Sequence, residues 1–201
     1  MTTQNLEPVF DKIDKSKENL IRLCQELIRF ETVNPPGRDY QPCVEYIGNR
    51  LKNSGFSVEY IRARGTPGDC ADFPRYNVVA RFDSGRKGPC VHFNSHIDVV
   101  ETGDGWTKDP FAAELEGGKI YGRGACDMKG GLAASIIAVE ALIASGIELK
   151  GAIEISGTAD EESGGLGGVA YLAEQGYFSK DRVDHVIIPE PLNKDRVCVG
   201  H

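Results

Sequence analysis

Four polar clusters in the sequence carry side chains that bind divalent cations or move protons. The first is Ser95-His96-Ile97-Asp98, at the end of an apolar run. Taken alone, a histidine in such a place is more often a hydrogen-bonded structural residue than a ligand. Asp98 shifts that balance, because a metal-bound imidazole usually gives its second N–H to a carboxylate that fixes the tautomer. His92 lies on the same strand face by alternation. Four residues at ~3.3 Å each place it ~13 Å away, so it cannot share an ion with His96 and reads as structural.

The second cluster, GRGACDMKGG at residues 122–131, leads into an apolar helical stretch. GxGxxG is not present in the right phase and no GK[ST] follows, which disfavours a nucleotide-binding loop. The cluster reads either as a plain turn ahead of a helix, or as a place where Asp127 holds a metal while the glycines let the backbone pass close by. The third, Asp160-Glu161-Glu162-Ser163-Gly164-Gly165, follows a strongly apolar strand. Three adjacent carboxylates repel one another unless cations or solvent relieve them, although a helix first turn would also accept them. Their side chains point in different directions, so one glutamate can bind metal while its neighbour holds a water. Last, Glu190 sits between Pro189 and Pro191 after another apolar run, where an exposed turn glutamate is the plain alternative. One His, one Asp and several Glu at strand exits form the mixed nitrogen and oxygen set that zinc or a similar divalent ion takes.

Positioning these residues requires ordered strands and helices. Residues 16–30 place Leu20, Leu23, Cys24, Leu27 and Ile28 on one helical stripe, with Ser16 as N-cap. A second helix is predicted over 42–54, with Val44, Ile47 and Leu51 inward and Gly55 as its stop. Strands follow at 56–61, 77–82 and 90–95, and Gly117-Gly118 turns a hairpin between 113–116 and 119–121. An apolar helix at 131–145, a strand at 152–157, a helix near 165–174 and an apolar run at 183–188 complete the pattern. Such alternation predicts an α/β fold: a mostly parallel mixed sheet with helices on both faces, and sites at the carboxyl ends of its strands.

At 201 residues the chain suits one domain with a sizeable core rather than two. The formal net charge of −7 argues against nucleic acid or an anionic membrane as partner and favours cationic guests. Six cysteines without a CxxC pair suggest neither a zinc knuckle nor a disulfide framework, and read as free thiols of a reducing cytosol. The longest apolar stretch, 132–143, is interrupted by Glu140 and too short to span a bilayer, and the first ten residues lack a basic segment followed by an apolar run. A soluble, cytoplasmic location is expected.

Together and in order, the motifs SHIDVV, GRGACDMKGG, TADEESGG and PEP resemble those of the M20 metallopeptidase family, which includes acetylornithine deacetylase, succinyl-diaminopimelate desuccinylase, aminoacylase and glutamate carboxypeptidase-like enzymes. Their spacing fits across nearly the whole chain. The resemblance implies a zinc-peptidase-like catalytic domain holding two divalent ions, zinc foremost, with cobalt or manganese as alternatives. It implies that His96 and Glu190 bind one ion, Glu162 the other, that Asp127 bridges both, and that the peptide bond after Asp127 is cis. Asp98 would orient His96, and Glu161 would be the general base. The substrate would be a small N-acyl amino acid, with a dipeptidase or carboxypeptidase of the same family, or a metal-binding but inactive fragment, as alternatives. Family members continue into a lid or dimerisation domain and return with a histidine that completes the second ion's ligands. By that pattern residues 1–201 are an N-terminal, incomplete part of the catalytic domain of a protein that is a homodimer at full length, and the part alone would be inactive. His185 and His201 are poor stand-ins for the late histidine.

Overall fold

The computed structural model describes residues 5–192. In chain order the elements are α1 (Glu7–Lys15), α2 (Lys17–Ile28), α3 (Tyr40–Asn53), β1 (Ser57–Arg62), β2 (Tyr76–Asp83), β3 (Cys90–His96), β4 (Glu114–Glu116), β5 (Lys119–Tyr121), α4 (Lys129–Ala144), β6 (Ala152–Thr158), a single 3-10 turn (Glu161–Ser163), α5 (Val169–Glu174) and β7 (His185–Ile187). β4 and β5 form the expected hairpin, and the other five strands make one sheet in the order β1-β2-β6-β3-β7. β2 runs antiparallel to β1 and β6, whereas β3 pairs parallel with β6 and β7. Four strands therefore point one way and β2 alone opposes them, as the mostly parallel mixed sheet requires.

Strand alternation divides the sheet into an apolar and a polar face. Val78 and Ala80 of β2 and Ile155 of β6 meet Val44, Ile47 and Leu51 of α3, Leu23 and Leu27 of α2, and Leu132 and Ile136 of α4 in the main core. Because α4 has β3 on one side and α1 and α2 on the other, its apolar residues run nearly all the way round it. The segment containing α5 crosses the opposite face: Asn77 Nδ2 donates to Gly167 O at 2.9 Å, and the Phe178 ring packs 4.8 Å from His92. There His92 lies between Glu154 Oε2 (2.9 Å) and Ser156 Oγ (2.8 Å), all buried. Arg81 and Arg182 both bond Glu154 Oε1, so this buried carboxylate is well partnered. His92 is thus part of the sheet's polar packing, the structural place expected of it.

Several boundaries depart from expectation for local reasons. α1 was not expected, although Leu6, Val9, Phe10 and Ile13 form a short helical stripe; in the fold it buries Val9 and leaves Phe10 exposed. Ser16 precedes α2 but makes no capping bond; its hydroxyl donates to Lys12 O and closes α1 instead. The helix expected from 165 begins only at Val169, because Gly164 and Gly165 take φ of +100° and +72°, outside helical space.

Candidate metal centre

Parallel pairing brings the carboxyl ends of β3, β6 and β7 to one rim of the sheet, where open α/β sheets build sites. His96 closes β3 opposite Thr158 of β6; the 161–163 turn follows β6, and Glu190 follows β7. Asp127 arrives from the loop before α4, with the Asp127–Met128 peptide bond cis. Close backbone approach makes this convergence fit: a Cβ on Gly131 would lie 2.3 Å from Pro189 O, and one on Gly130 would lie 2.4 Å from Ala125 O.

His96, Asp127 and Glu190 each offer one ligand atom, and all three atoms lie within 4.8 Å of one another. His96 Nε2 stands 3.0 Å from Asp127 Oδ1, 3.6 Å from Glu190 Oε1 and 4.0 Å from Glu161 Oε2. The imidazole is buried, while the Asp127 and Glu161 side chains are 55% and 52% exposed, so the centre opens to solvent on its acidic side. One nitrogen and a set of oxygens at these separations suit a divalent cation.

Nδ1 of His96 is held by Asp98, but through the main-chain oxygen at 2.9 Å; the nearest carboxylate oxygen is 3.5 Å away. That carboxylate accepts the main-chain N–H of Glu161 on Oδ1 and of Glu162 on Oδ2, each at 3.1 Å. Asp98 therefore joins the histidine to the glutamate turn. Glu162 falls outside the three-residue ligand group, though its carboxylate is close enough to feel Asp127, Asp98 and Glu161.

Electrostatics mark the same spot. Burial pulls His96 down, but the hydrogen bond and charge of Asp98, with Asp127 and Glu190, outweigh it and raise the imidazole to about 9. Burial lifts the Glu190 carboxyl to about 7; His96 opposes this, and the charges of Asp127 and Glu161 add to it. Burial, eased by His96 and reinforced by Asp127, Asp98 and Glu161, also raises Glu162. Carboxylates crowded enough to retain protons are the ones a cation would relieve.

The sequence matches Peptidase family M20/M25/M40 over residues 92–200, more than half of the chain. The chain belongs to this family. Succinyl-diaminopimelate desuccinylase of Methylobacterium radiotolerans is 36% identical over 181 residues, which are 88% of this chain and 43% of that protein. The crystal structure of human carnosine dipeptidase 1 and a structure of a di-peptidase from Saccharomyces cerevisiae each align with a TM-score of 0.78 at 26% identity. They cover 92% of this chain, and 41% and 40% of their own. The chain spans less than half the length of these M20 relatives.

Two residues of the quoted motifs, Asp160 and Lys129, and one outside them, Asn34, support the centre from behind. Asp160, first of the carboxylate triplet, turns inward with φ of +60° and takes bonds from Arg75 Nε on Oδ2 and Tyr40 OH on Oδ1, both at 2.9 Å. Lys129 is buried and donates to Phe30 O at 2.8 Å; burial, opposed by Cys43, Asp98 and Asp39, lowers its amine to about 8. Asn34 reaches Asp98 itself. His185 lies in β7 with Val91 as its Cα partner, and His201 is outside the described residues. Among the described residues, no helix is long and apolar enough to cross a membrane.

Proposed function

We propose that this chain supplies the metal-binding part of the catalytic domain of a hydrolase that cleaves the amide bond of a small N-acyl amino acid, of the desuccinylase or deacetylase type. The observation that carries the reading is the meeting of His96, Asp127 and Glu190 within 4.8 Å, with Glu161 Oε2 4.0 Å from His96 Nε2. His96 and Glu190 would hold one divalent ion, Glu162 a second, and Asp127 would bridge them, with zinc the first candidate. Bound there, divalent cations lower the pKa of water towards ~7 and stabilise negative charge on the amide oxygen.

The chain's own residues do the rest. Asp98 keeps the Nδ1–H of His96 on its carbonyl, which leaves Nε2 facing the centre. Glu161, half exposed at the open side, takes a proton from the attacking water and hands it to the leaving nitrogen, so that carboxylate and amine depart. Glu161 is the general base in this scheme, and its main chain is fixed while its carboxylate stays free. The cysteines among the described residues are unpaired, which supports a reducing, cytoplasmic setting.

A dipeptidase is the second reading, favoured by the two dipeptidase structures at TM-score 0.78. Side-by-side turnover of N-succinyl-diaminopimelate, N-acetylornithine and dipeptides by the metal-loaded full-length protein separates them. Preference for an acylated amino acid is expected; preference for dipeptides would select the second reading, and no amide hydrolysis with metal bound would overturn both.

A further inference from the structure

We infer that Asn34 is a positioning residue for the general base, acting through Asp98 and Ser163; the inference rests on the amide hydrolase reading above. Glu161 sits in a single 3-10 turn, bounded by Asp160 and Gly164 at φ of +60° and +100°. One isolated turn has no helical cooperativity to hold its shape, and the Glu161 carboxylate is half exposed, with its nearest cationic neighbour, His96 Nε2, 4.0 Å away. Its aim is therefore set by what grips the turn's main chain, and that grip is the Asp98 carboxylate.

Asn34 controls both ends of the grip. Its amide nitrogen donates one proton to Asp98 Oδ2 at 3.1 Å and the other to Ser163 Oγ at 2.8 Å, so its two donors meet two acceptors. The residue is only 4% exposed, and its main chain is locked beside the extension of β3. Val33 forms a parallel bridge with Val99, Asn34 N–H donates to Val99 O at 2.9 Å, and Thr32 Oγ1 donates to Ile97 O at 2.6 Å. The carboxamide is thus delivered from a fixed backbone into the gap between Asp98 and the turn. Asp98 Oδ2 already accepts Glu162 N–H, and Asn34 supplies the second donor that keeps the carboxylate plane turned towards both glutamates. Asn34 is itself buried, whereas the carboxylate of Glu161, whose turn it helps to hold, is half exposed.

The test uses the full-length protein. In the metal-free state, amide hydrogen exchange of Glu161 and Glu162 should accelerate at least tenfold in Asn34→Ala while β6 amides exchange as in wild type; unchanged protection at the two glutamates would overturn the inference. In the metal-loaded state, Asn34→Ala should lose roughly 10- to 100-fold in kcat, the range for groups that orient ligands from behind, with KM within about twofold and the metal count unchanged. Retained kcat, or a loss confined to KM, would overturn it. Should Asn34→Ala fail to fold, Ser163→Ala removes the other arm and must raise the exchange of the same two amides and lower kcat at constant KM; wild-type behaviour there would count against the inference. Wild-type inactivity towards every amide offered would instead sink the hydrolase reading, whereas the exchange result stands without it.

Discussion

Asp98 Oδ1 accepts the main-chain N–H of Glu161 at 3.1 Å, so the carboxylate next to the candidate ligand His96 fixes the turn that presents the candidate base. The sequence alone suggests a simpler job, an Asp orienting a His. In the fold the Asp98 carbonyl takes the short contact with Nδ1, and the carboxylate, 3.5 Å from that nitrogen, also accepts both glutamate N–H groups. Asp98→Asn replaces an acceptor oxygen with an N–H₂ group facing other N–H donors. We expect roughly 10- to 100-fold lower kcat/KM, with the His96 side still able to bind metal. Activity and metal content measured together check this; wild-type activity would show that the grip is not needed.

Glu161→Gln keeps the shape of the side chain and removes its basicity. A positioned proton acceptor contributes roughly 10²- to 10⁴-fold, so kcat should fall by that range while the metal content stays at the wild-type value. Glu190→Gln makes the contrast: it strikes the three-atom ligand group and should lower metal affinity first. Metal titration with the kcat of both variants separates the roles, and a Glu161 variant that loses metal would reassign it as a ligand.

Metal affinity should rise with pH. Without metal, His96 is protonated below about 9 and Glu190 below about 7, and both must give up protons to bind a cation. Binding near neutrality therefore releases protons, detectable by calorimetry in buffers of different ionisation enthalpy. The same shifts fix the sign for stability. Both groups bind protons more tightly folded than unfolded, so the metal-free protein should lose stability as pH climbs from the ordinary glutamate range through about 9. Thermal melting from pH 5 to 9, with and without zinc, checks it; an apo protein that melts higher as pH rises would contradict the assignment.

Arg75 and Asp160 form a nearly dry ion pair, their side chains 5% and 4% exposed. Arg75→Met strands a buried carboxylate beside Tyr40, so a loss of about 3–5 kcal/mol in unfolding free energy is expected from urea titration. Arg75 also donates to Pro36 O, so the loop carrying Asn34 and the turn carrying Glu161 should loosen together.

How far the sequence was readable follows from the range of each interaction. Periodicity revealed α2 and α3, and an unbroken apolar run closed by Gly146 revealed α4, whereas the short α1 stripe of Leu6, Val9, Phe10 and Ile13 buries only Val9 and was passed over. His96, Asp127 and Glu190 were legible since each follows or precedes a recognisable element, and the family motifs quote them directly. Asn34 and Arg75 were not. Their roles depend on Asp98 and Asp160, 64 and 85 positions along the chain, brought near by a sheet order that inserts β6 between β2 and β3. Local pattern does not encode such pairings.

Gly131 offers the most direct test of how α4 and the Glu190 segment are matched. It lies in the first turn of α4, where alanine would normally favour the helix by about 1 kcal/mol over glycine. A Cβ there would stand 2.3 Å from the main-chain oxygen of Pro189, and backbone cannot move aside as a side chain does. The segment would have to retreat from α4 and carry Glu190 away from His96 Nε2, now 3.6 Å from it. Gly131→Ala should therefore weaken metal binding despite its better helix propensity, and lower activity in step with the metal lost. Restoring activity with excess zinc would show that the alanine acts on ligand placement rather than on the base. Metal affinity equal to wild type would mean that the Pro189 segment yields without moving Glu190.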